Sequence, residues 1–473
     1  MKNALKFYID GTWVDPVVPA TRQVINPATE ESAGTISMGS AADVDRAAAA
    51  ARRAFADFGR TTRAERISLL QSVIASYRKR ADDIAEAIIL EIGSPRTFSV
   101  NVQAKVGLDH FEEAIRVLET YPFESTLRDT VIRREPIGVC GLITPWNWPV
   151  NQIVAKLASA LAAGCTSVLK PSELSPLSAL ILAEVLHDAG VPKGVFNLVN
   201  GDGPTVGQAI ASHPEIDLVS FTGSTRAGIL VAQAAAPTVK RVSQELGGKS
   251  ATIILPDADL DQAVVGGVLR CYTNAGQSCQ APSRMLVHES QLGQVVQIAR
   301  AAAQGMKVGD PQSPETTLGP VASRMQYDKV QGMIESGLRE GATLVCGGPD
   351  RPAGLNRGYF VQPTVFSDVR PDMTIAREEI FGPVLSILSY RTEDEAVDIA
   401  NDTVYGLAGY VQSGSPDKAR DIAARLRAGR IYINGALSNS AAPFGGYKQS
   451  GNGRELGVFG LEEYLEVKAI LES

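Results

Sequence analysis

Short β-rich segments alternate with amphipathic helical segments between residues 139 and 255, and this rhythm constrains the fold more than any other feature. Strands are predicted at residues 139–144, 166–170, 194–199, 218–222 and 251–255. Helices are predicted between them at residues 150–163, 176–189, 204–212 and 226–236. Such alternation predicts a parallel, doubly wound α/β sheet, whose ligands collect at the carboxyl ends of the strands.

A second alternating region follows Cys279, with strands predicted near residues 284–288, 343–346, 384–390, 408–411 and 430–434. The first 130 residues read as mainly helical, at 41–58 and 63–91, after a short β start. A chain of 473 residues exceeds what one core usually supports, so a second α/β domain is expected. Segments 124–134 and 464–471 alternate as strands do, and we expect them to pair as an arm for oligomer contact.

Composition excludes several classes of function. The net charge of −7 argues against a nucleic-acid surface, which needs a basic face, although a helix N-terminus could still bind a small anionic cofactor. The N-terminus is charged where a signal peptide needs an apolar run, and no stretch approaches the roughly 20 apolar residues of a membrane span. Five scattered cysteines favour a reducing cytoplasm, and four histidines without ligand spacing argue against a metal.

Two strand ends carry motifs suited to an anionic cofactor. Gly223 and Ser224 follow one strand and open a helix, whose N-terminal N–H groups and dipole favour an anion. The alternative is a tight turn with a serine N-cap. Lys170 and Glu173 follow another strand, where a glutamate could accept hydrogen bonds from the ribose of NAD and would repel a 2′-phosphate. The alternative is a solvated surface pair.

Reactive groups are expected at Cys279 and Glu245, each of which adjoins flexible glycines. A thiol and a carboxylate suit two-step chemistry, in which a nucleophile forms an acyl intermediate and a base promotes its hydrolysis. Only Cys279 follows a glycine-containing loop that could expose it. The remaining cysteines lie in or beside predicted strands, where we expect burial, or in a helical segment; they are Cys140, Cys165 and Cys346 in the first group and Cys271 in the second.

Asn147 lies between Trp146 and Trp148 in a loop bounded by prolines. Its amide could be aimed at a developing oxyanion, an effect worth roughly 3 kcal/mol in known cases. The alternative is a turn asparagine that makes local backbone bonds.

Seven motifs together resemble the NAD(P)-dependent aldehyde dehydrogenase superfamily, in its hydrolytic branch. The motifs are PWNWP at 145–149, LKPSE at 169–173, FTGS at 221–224, ELGGK at 245–249, GQSC at 276–279, EIFGP at 379–383 and PFGGYK at 443–448. The resemblance implies an α/β, aldehyde dehydrogenase-like fold. Its parts would be a Rossmann-type NAD-binding domain at 1–122 with 138–247 and a second α/β catalytic domain at 248–449. A small β oligomerisation arm, with the C-terminal tail, would occupy 123–137 and 450–473.

By this resemblance Cys279 is the nucleophile, Glu245 the general base, and Asn147 forms an oxyanion hole with the backbone N–H of Cys279. Glu455 matches a second carboxylate that is a candidate proton relay. The cofactor would be NAD, with NADP as the weaker alternative. The implied cofactor contacts are Ile143, Trp146, Lys170, Glu173, Gly223, Ser224, Leu246, Glu379 and Phe381.

The resemblance also bears on the substrate and on assembly. The branch that acts on succinic semialdehyde carries an arginine where this chain has Ala155, so a short dicarboxylic semialdehyde loses its expected anchor. The mixture of small, polar and aromatic groups expected in the pocket suggests a roomy site for a medium-sized or aromatic aldehyde. A homodimer or homotetramer is implied. Alternatives are a cofactor-independent thiol esterase or hydrolase, an NADP-preferring dehydrogenase, and a non-catalytic protein that keeps the fold. The expected lining of the substrate pocket is Trp148, Asn151, Ala155, Ser278, Gln280, Ser438 and Phe444.

Overall fold

The computed structural model describes residues 3–471 of the chain. Its strands, β1 to β20 in chain order, are Phe7–Ile9, Thr12–Val14, Thr21–Asn26, Glu31–Ser37, Glu124–Leu127, Thr130–Pro136, Val139–Ile143, Thr166–Lys170, Phe196–Leu198, Leu218–Thr222, Arg241–Glu245, Ala251–Ile254, Arg284–His288, Thr343–Cys346, Thr364–Ser367, Val384–Tyr390, Ala408–Gln412, Arg430–Ile433, Gly451–Asn452 and Leu465–Leu471.

The α-helices, α1 to α15 in chain order, are Ala41–Phe58, Arg63–Ile92, Arg96–Phe98, Ala104–Thr120, Pro149–Ala163, Leu177–Asp188, Gln208–Ser212, Thr225–Ala235, Leu260–Tyr272, Leu292–Gln304, Arg324–Arg339, Thr374–Arg377, Glu393–Asn401, Pro416–Arg425 and Gly457–Glu463. Two π-helical turns, Ser99–Gln103 and Gly203–Gly207, precede α4 and α7. Short 3-10 turns occupy Ala236–Thr238, Thr273–Gly276, Glu289–Gln291 and Lys448–Ser450.

The first sheet has eight strands in the order β19-β11-β10-β7-β8-β9-β1-β2. Its centre, from β11 to β9, is parallel, and the edge strands β19, β1 and β2 run antiparallel to their neighbours. Strand β7 is buried on both faces: Cys140 and Leu142 pack in one apolar cluster, and Val139 and Ile143 in another. The predicted doubly wound α/β architecture is therefore confirmed.

The second sheet has seven strands in the order β14-β15-β16-β13-β12-β17-β18, parallel except for β14. It corrects one prediction: the strand expected at 251–255 does not continue the first rhythm but lies in the middle of this sheet. Strands β11 and β15 were not predicted. Strand β11 begins with Arg241 to Ser243, which form no apolar run, so the local sequence gives no strand signal. The end of this strand becomes buried only in the tertiary structure.

The expected arm forms a separate three-stranded sheet. Strand β20 pairs antiparallel with β6 along its whole length, and β6 pairs with β5 in a hairpin. Large apolar side chains stay exposed on this sheet, among them Leu127, Val467 and Leu471. The pairing of 124–134 with 464–471 is confirmed, whereas the domain boundaries and the oligomeric contact remain predictions.

A buried carboxylate fixes the segment that follows strand β8. Glu91, near the end of α2, accepts hydrogen bonds from the backbone N–H of Leu177 at 2.6 Å and of Ser178 at 3.3 Å, and from the Ser178 hydroxyl. These N–H groups open α6 and have no acceptor within their own helix. Burial raises the pKa of Glu91 to about 8, against which the hydrogen bonds act. The start of α6, and with it the turn at 170–176, is thereby tied to α2.

This raised pKa predicts a pH-dependent stability. Between its usual pKa of 4.5 and about 8, Glu91 holds a proton when folded and loses it when unfolded, so its stabilising contribution falls as pH rises through that window. Glu91→Gln mimics the protonated form and should reduce the decline in unfolding free energy between pH 5 and 8 by roughly 1–3 kcal/mol. Denaturation by urea at several pH values measures this, with exposed Glu119→Gln as control. An unchanged slope in Glu91→Gln would contradict the assignment.

Candidate active site

The loop that carries Cys279 is held in an unusual conformation. Asn274 and Ala275 have φ values of +56° and +55°, a left-handed region that non-glycine residues enter at a cost of about 1–3 kcal/mol. Gln277 fixes the turn, because its side chain donates to the Asn274 carbonyl at 3.1 Å and accepts from the Ala322 N–H at 2.8 Å. Gly248 lets this loop approach β11, since a Cβ there would lie 2.3 Å from the Cys279 carbonyl oxygen.

Asn147, in the loop after β7, is joined to this same turn. Its side-chain Nδ2 donates to the Gln277 carbonyl at 3.0 Å, and its own carbonyl accepts from Asn274 Nδ2 at 2.7 Å. The alternative of a local turn asparagine is therefore wrong, because its partners lie about 130 residues away. An amide carries two N–H donors, and Gln277 uses one, so the other is available to a ligand.

Two clefts meet at Cys279, which is partly exposed and lines both of them. The first cleft encloses about 650 Å³ and is lined by Pro145, Trp146, Asn147, Gln152, Thr222, Gly223, Ser224, Leu246, Gly247, Cys279, Gln326, Lys329, Glu379 and Phe381. The second cleft spans about 1000 Å³, part of it open to solvent, and shares Gln152 and Cys279 with the first. A thiol at such a junction can meet two different small molecules.

The first cleft brings together six of the nine predicted cofactor residues: Trp146, Gly223, Ser224, Leu246, Glu379 and Phe381. The Trp146 and Phe381 rings meet edge to face with centroids 5.4 Å apart, and Glu379 Oε1 accepts from the Gly248 N–H at 2.9 Å. Ser224 also caps α8, since its hydroxyl accepts from the Ala227 N–H at 3.3 Å. Ser224 therefore lines the cleft and also acts as the N-cap that the sequence offered as the alternative.

Three predicted cofactor residues lie outside the cleft lining. Ile143 is buried in the core at the end of β7. Lys170, at the end of β8, is buried and donates from Nζ to the carbonyls of Pro171 and Gly201, both at 2.9 Å. Burial lowers the pKa of Lys170, while the carboxylate of Glu173, 3.5 Å from Nζ, opposes this shift. The reading of Lys170 as a solvated surface residue is wrong; Glu173 keeps partial exposure.

All seven predicted substrate-pocket residues line the second cleft. Trp148 Nε1 donates to Ser278 Oγ at 2.8 Å, and Asn151 Oδ1 lies 2.7 Å from His110 Nε2. Sequence reasoning missed the part of the wall formed by the π-helical turn before α4, by α4 itself and by residues 152, 430, 440 and 456, because nothing local marks those residues as neighbours of Cys279. The full lining is Val102, Val106, Asp109, His110, Trp148, Asn151, Gln152, Ala155, Ser278, Cys279, Gln280, Arg430, Ser438, Ser440, Phe444, Glu455 and Leu456.

Carboxyl groups dominate the electrostatics around the sulfur. Burial raises the pKa of Cys279, and the nearby carboxylates of Glu379, Glu245 and Glu455 raise it further. Glu245 ends β11, is buried, and neither of its oxygens has a hydrogen-bond partner within residues 3–471. Burial, with Glu455 as the next cause, raises the pKa of Glu245 well above its usual value. A carboxyl with a raised pKa is, in its ionised form, a stronger base than a solvated carboxylate and can take a proton from a nearby water molecule.

Glu455, in the lining of the second cleft, forms an ion pair with the fully buried Lys156. Cys140, Cys165 and Cys271 are buried, but the expectation of burial for Cys346 is wrong, because β14 is the edge strand of its sheet. Within residues 3–471 no cluster of His, Cys, Asp or Glu is suited to a metal, and no helix is long and apolar enough to cross a membrane.

Fold and site together define an α/β protein with two large sheets and a partly exposed thiol that lines two clefts. A family model described as the aldehyde dehydrogenase family matches residues 13–470. The chain belongs to this family, and it is an oxidoreductase of the aldehyde dehydrogenase type.

Three relatives illustrate the similarity. A 3-succinoylsemialdehyde-pyridine dehydrogenase of Pseudomonas sp is 57% identical over 472 residues, which is 100% of this chain and 99% of that protein. A Cys-to-Ala mutant of aldehyde dehydrogenase C from Pseudomonas syringae, in complex with NAD+ and octanal, has 55% identity and a TM-score of 0.99 over 99% of this chain and 97% of that chain. The NAD+ complex of a Mycobacterium tuberculosis aldehyde dehydrogenase has 41% identity and a TM-score of 0.97, over 99% and 98%.

Proposed function

We propose that this protein oxidises an aldehyde to a carboxylic acid with NAD, through a covalent intermediate on Cys279. The observation that carries the proposal is the position of Cys279, where the two clefts meet. The aldehyde would enter by the second cleft and the cofactor by the first.

The first cleft suits an NAD molecule by its chemistry. The N-terminus of α8 places its first-turn N–H groups and positive dipole end at Gly223 and Ser224, which favours a pyrophosphate. The carboxylate of Glu379 is fixed by the Gly248 N–H and would contact the nicotinamide side. Crystal structures of relatives in complex with NAD+ support this choice. When bound, NAD would accept the hydride from the aldehyde carbon.

The acylation step uses Cys279 and Asn147. The Cys279 thiolate, whose proton has passed to solvent water, attacks the carbonyl carbon of the aldehyde. The second N–H of the Asn147 amide and the backbone N–H of Cys279 would donate to the resulting alkoxide. The hydrogen bond from Asn147 to Gln277 holds the amide in place before substrate arrives, so little reorganisation accompanies the reaction.

Hydrolysis of the thioester needs a base that removes a proton from water. Glu245 is the candidate because its oxygens have no protein partner within the described residues and its pKa is raised. The conformation of Gly445 leaves room for this carboxylate, since a Cβ there would lie 2.7 Å from Glu245 Oε1. The Glu455–Lys156 pair is the candidate route by which protons leave the buried site.

Glu245→Gln separates the two steps. If Glu245 mainly serves hydrolysis, the variant should give a burst of about one NADH per site and then turn over at least 100-fold more slowly, in the range general-base catalysis contributes. Stopped-flow absorbance at 340 nm measures both phases. Cys279→Ala is the matched control and should give no burst. Loss of the burst in Glu245→Gln, with the fold intact, would mean that the carboxylate acts before hydride transfer. Ester hydrolysis without any NADH formation from aldehydes would instead support the thiol hydrolase alternative.

Glu173 is proposed to select NAD over NADP. Its partly exposed carboxylate lies beyond the carboxyl end of β8, where it would accept hydrogen bonds from the ribose hydroxyls and would repel a 2′-phosphate. Glu173→Ala should lower the ratio of kcat/KM for NAD to that for NADP about tenfold, or ~1.4 kcal/mol. Glu315→Ala, which removes an exposed surface carboxylate, should leave the ratio unchanged. A wild-type enzyme that prefers NADP would overturn the proposal.

The second cleft favours an uncharged aldehyde of medium length or with an aromatic ring. Its lining extends from Cys279 to Ser438 and Phe444, and Trp148, Phe444 and Ala155 supply apolar walls. Relatives named for a pyridine-bearing semialdehyde and crystallised with octanal support this class.

The five free cysteines are consistent with a proposed cytoplasmic location.

The three-stranded arm is proposed to mediate a homodimer or homotetramer. Leu127 and Val467 are 64% and 66% exposed, so contact with a second copy would cover them. Light scattering should give the mass of two or four chains, and Val467→Lys should reduce it. Met325→Lys, at a residue 73% exposed on α11, is the control. A monomeric wild type at all concentrations would contradict the proposal.

A further inference from the structure

Arg430 is the one arginine in the lining of the second cleft, and its surroundings are unusual. It opens β18, the edge strand of the second sheet, two residues before Tyr432. The chain then leaves the sheet and runs without helix or strand until the Lys448–Ser450 turn, and residues 434–439 are exposed. This irregular segment, residues 434–444, supplies Ser438, Ser440 and Phe444 to the cleft wall.

The guanidinium of Arg430 contacts this segment with almost all of its donors. Nε donates to the Pro443 carbonyl at 3.2 Å, and Nη2 donates to the carbonyls of Asn439 and Ala442 at 3.3 and 2.7 Å. Nη1 donates to Ser438 Oγ at 3.1 Å and lies 3.4 Å from the Tyr432 hydroxyl. A guanidinium has five N–H donors, so these five acceptors satisfy it completely.

Two further contacts connect Arg430 to the chemistry. Its guanidinium carbon lies 5.2 Å from the centroid of the Phe444 ring, a cation–π distance that orients this ring in the cleft wall. The Tyr432 hydroxyl, which Arg430 contacts, donates to Gln280 Oε1 at 3.0 Å. Gln280 follows Cys279, so one arginine links the irregular segment in the cleft wall to the residue beside the sulfur.

We propose that Arg430 is a positioning residue that shapes the outer wall of the aldehyde cleft, and that it is not an anchor for an anionic substrate. The inference rests on the proposed function, because it assigns the second cleft to the aldehyde. A carboxylate-bearing aldehyde would have to displace backbone carbonyls from Arg430. The cleft also contains Asp109, which would repel such a substrate, and the cation of Lys156 is already paired with Glu455. The cleft therefore selects uncharged aldehydes long enough to reach residues 438–444.

The test compares aldehydes of different length and charge on Arg430→Met. For octanal, which is long enough to reach the wall, kcat/KM should fall about tenfold, mostly through KM. For propanal, which would react near Cys279 without reaching the wall, it should change less than threefold. Succinic semialdehyde should be a poor substrate of the wild type, and Arg430→Met should not make it worse relative to propanal.

Two variants keep the result interpretable. Arg430→Lys keeps the charge but has three donors on a single nitrogen and cannot satisfy five acceptors, so it should resemble Arg430→Met with octanal. Arg427→Met, at an exposed arginine three residues earlier, is the matched control and should behave as wild type. Hydrogen–deuterium exchange should quicken in residues 435–443 of Arg430→Met and stay unchanged in the strands of the second sheet.

Opposite results would overturn the inference. A selective loss of succinic semialdehyde oxidation in Arg430→Met, restored in Arg430→Lys, would identify an anion anchor. An equal loss with octanal and propanal, or unchanged exchange in residues 435–443, would also refute positioning of the wall. If the wild type formed no NADH from any aldehyde, the proposed function would fail, while the exchange experiment would still decide whether Arg430 holds this segment.

Discussion

The hydrogen bonds between Asn147 and the turn at 274–277 join the two halves of the site, and the other features of the site depend on them. Asn147 follows a strand of the first sheet, and Cys279 lies in a loop that leads into a strand of the second. The reciprocal bonds hold the amide and the thiol loop in one fixed arrangement. Because the turn also has two left-handed residues, it needs these bonds to persist. The two clefts meet at the sulfur as a consequence of this junction.

The two buried carboxyl groups of the site, Glu245 and Glu455, differ in whether they have a partner. Within residues 3–471 the buried carboxyl of Glu245 has no hydrogen-bond partner, whereas Glu455 is balanced by Lys156. The protein thus keeps one carboxyl with a raised pKa beside a thiol whose pKa is also raised. Such an arrangement costs stability, because a buried carboxyl prefers hydrogen bonds. A site that passes protons between a thiol, a water molecule and solvent needs a carboxyl that is free to bind and release them, which explains why this loss of stability is tolerated.

Much of the fold followed from local pattern. Strands β8, β10, β13 and β16 lie at their predicted residues, because each is a β-rich segment bounded by turn residues or helices. Strand β11 escaped prediction, because its side chains become buried only when β10 and β19 pair on either side of it. The strand at 251–254 was found but placed in the wrong sheet, since sequence rhythm does not say which neighbours a strand pairs with.

The sequence by itself determined the chemistry that this protein can offer: Cys279, Glu245 and Asn147 stood out because their motifs combine reactive groups with flexible or stiff loops. Only the tertiary structure decided the shape of the cleft in which that chemistry takes place. His110 on α4 and Arg430 on β18 carry no local signal, and they border the cleft because distant elements pack there. Reactivity depends on the type of side chain, whereas a cleft depends on contacts between segments far apart in the chain.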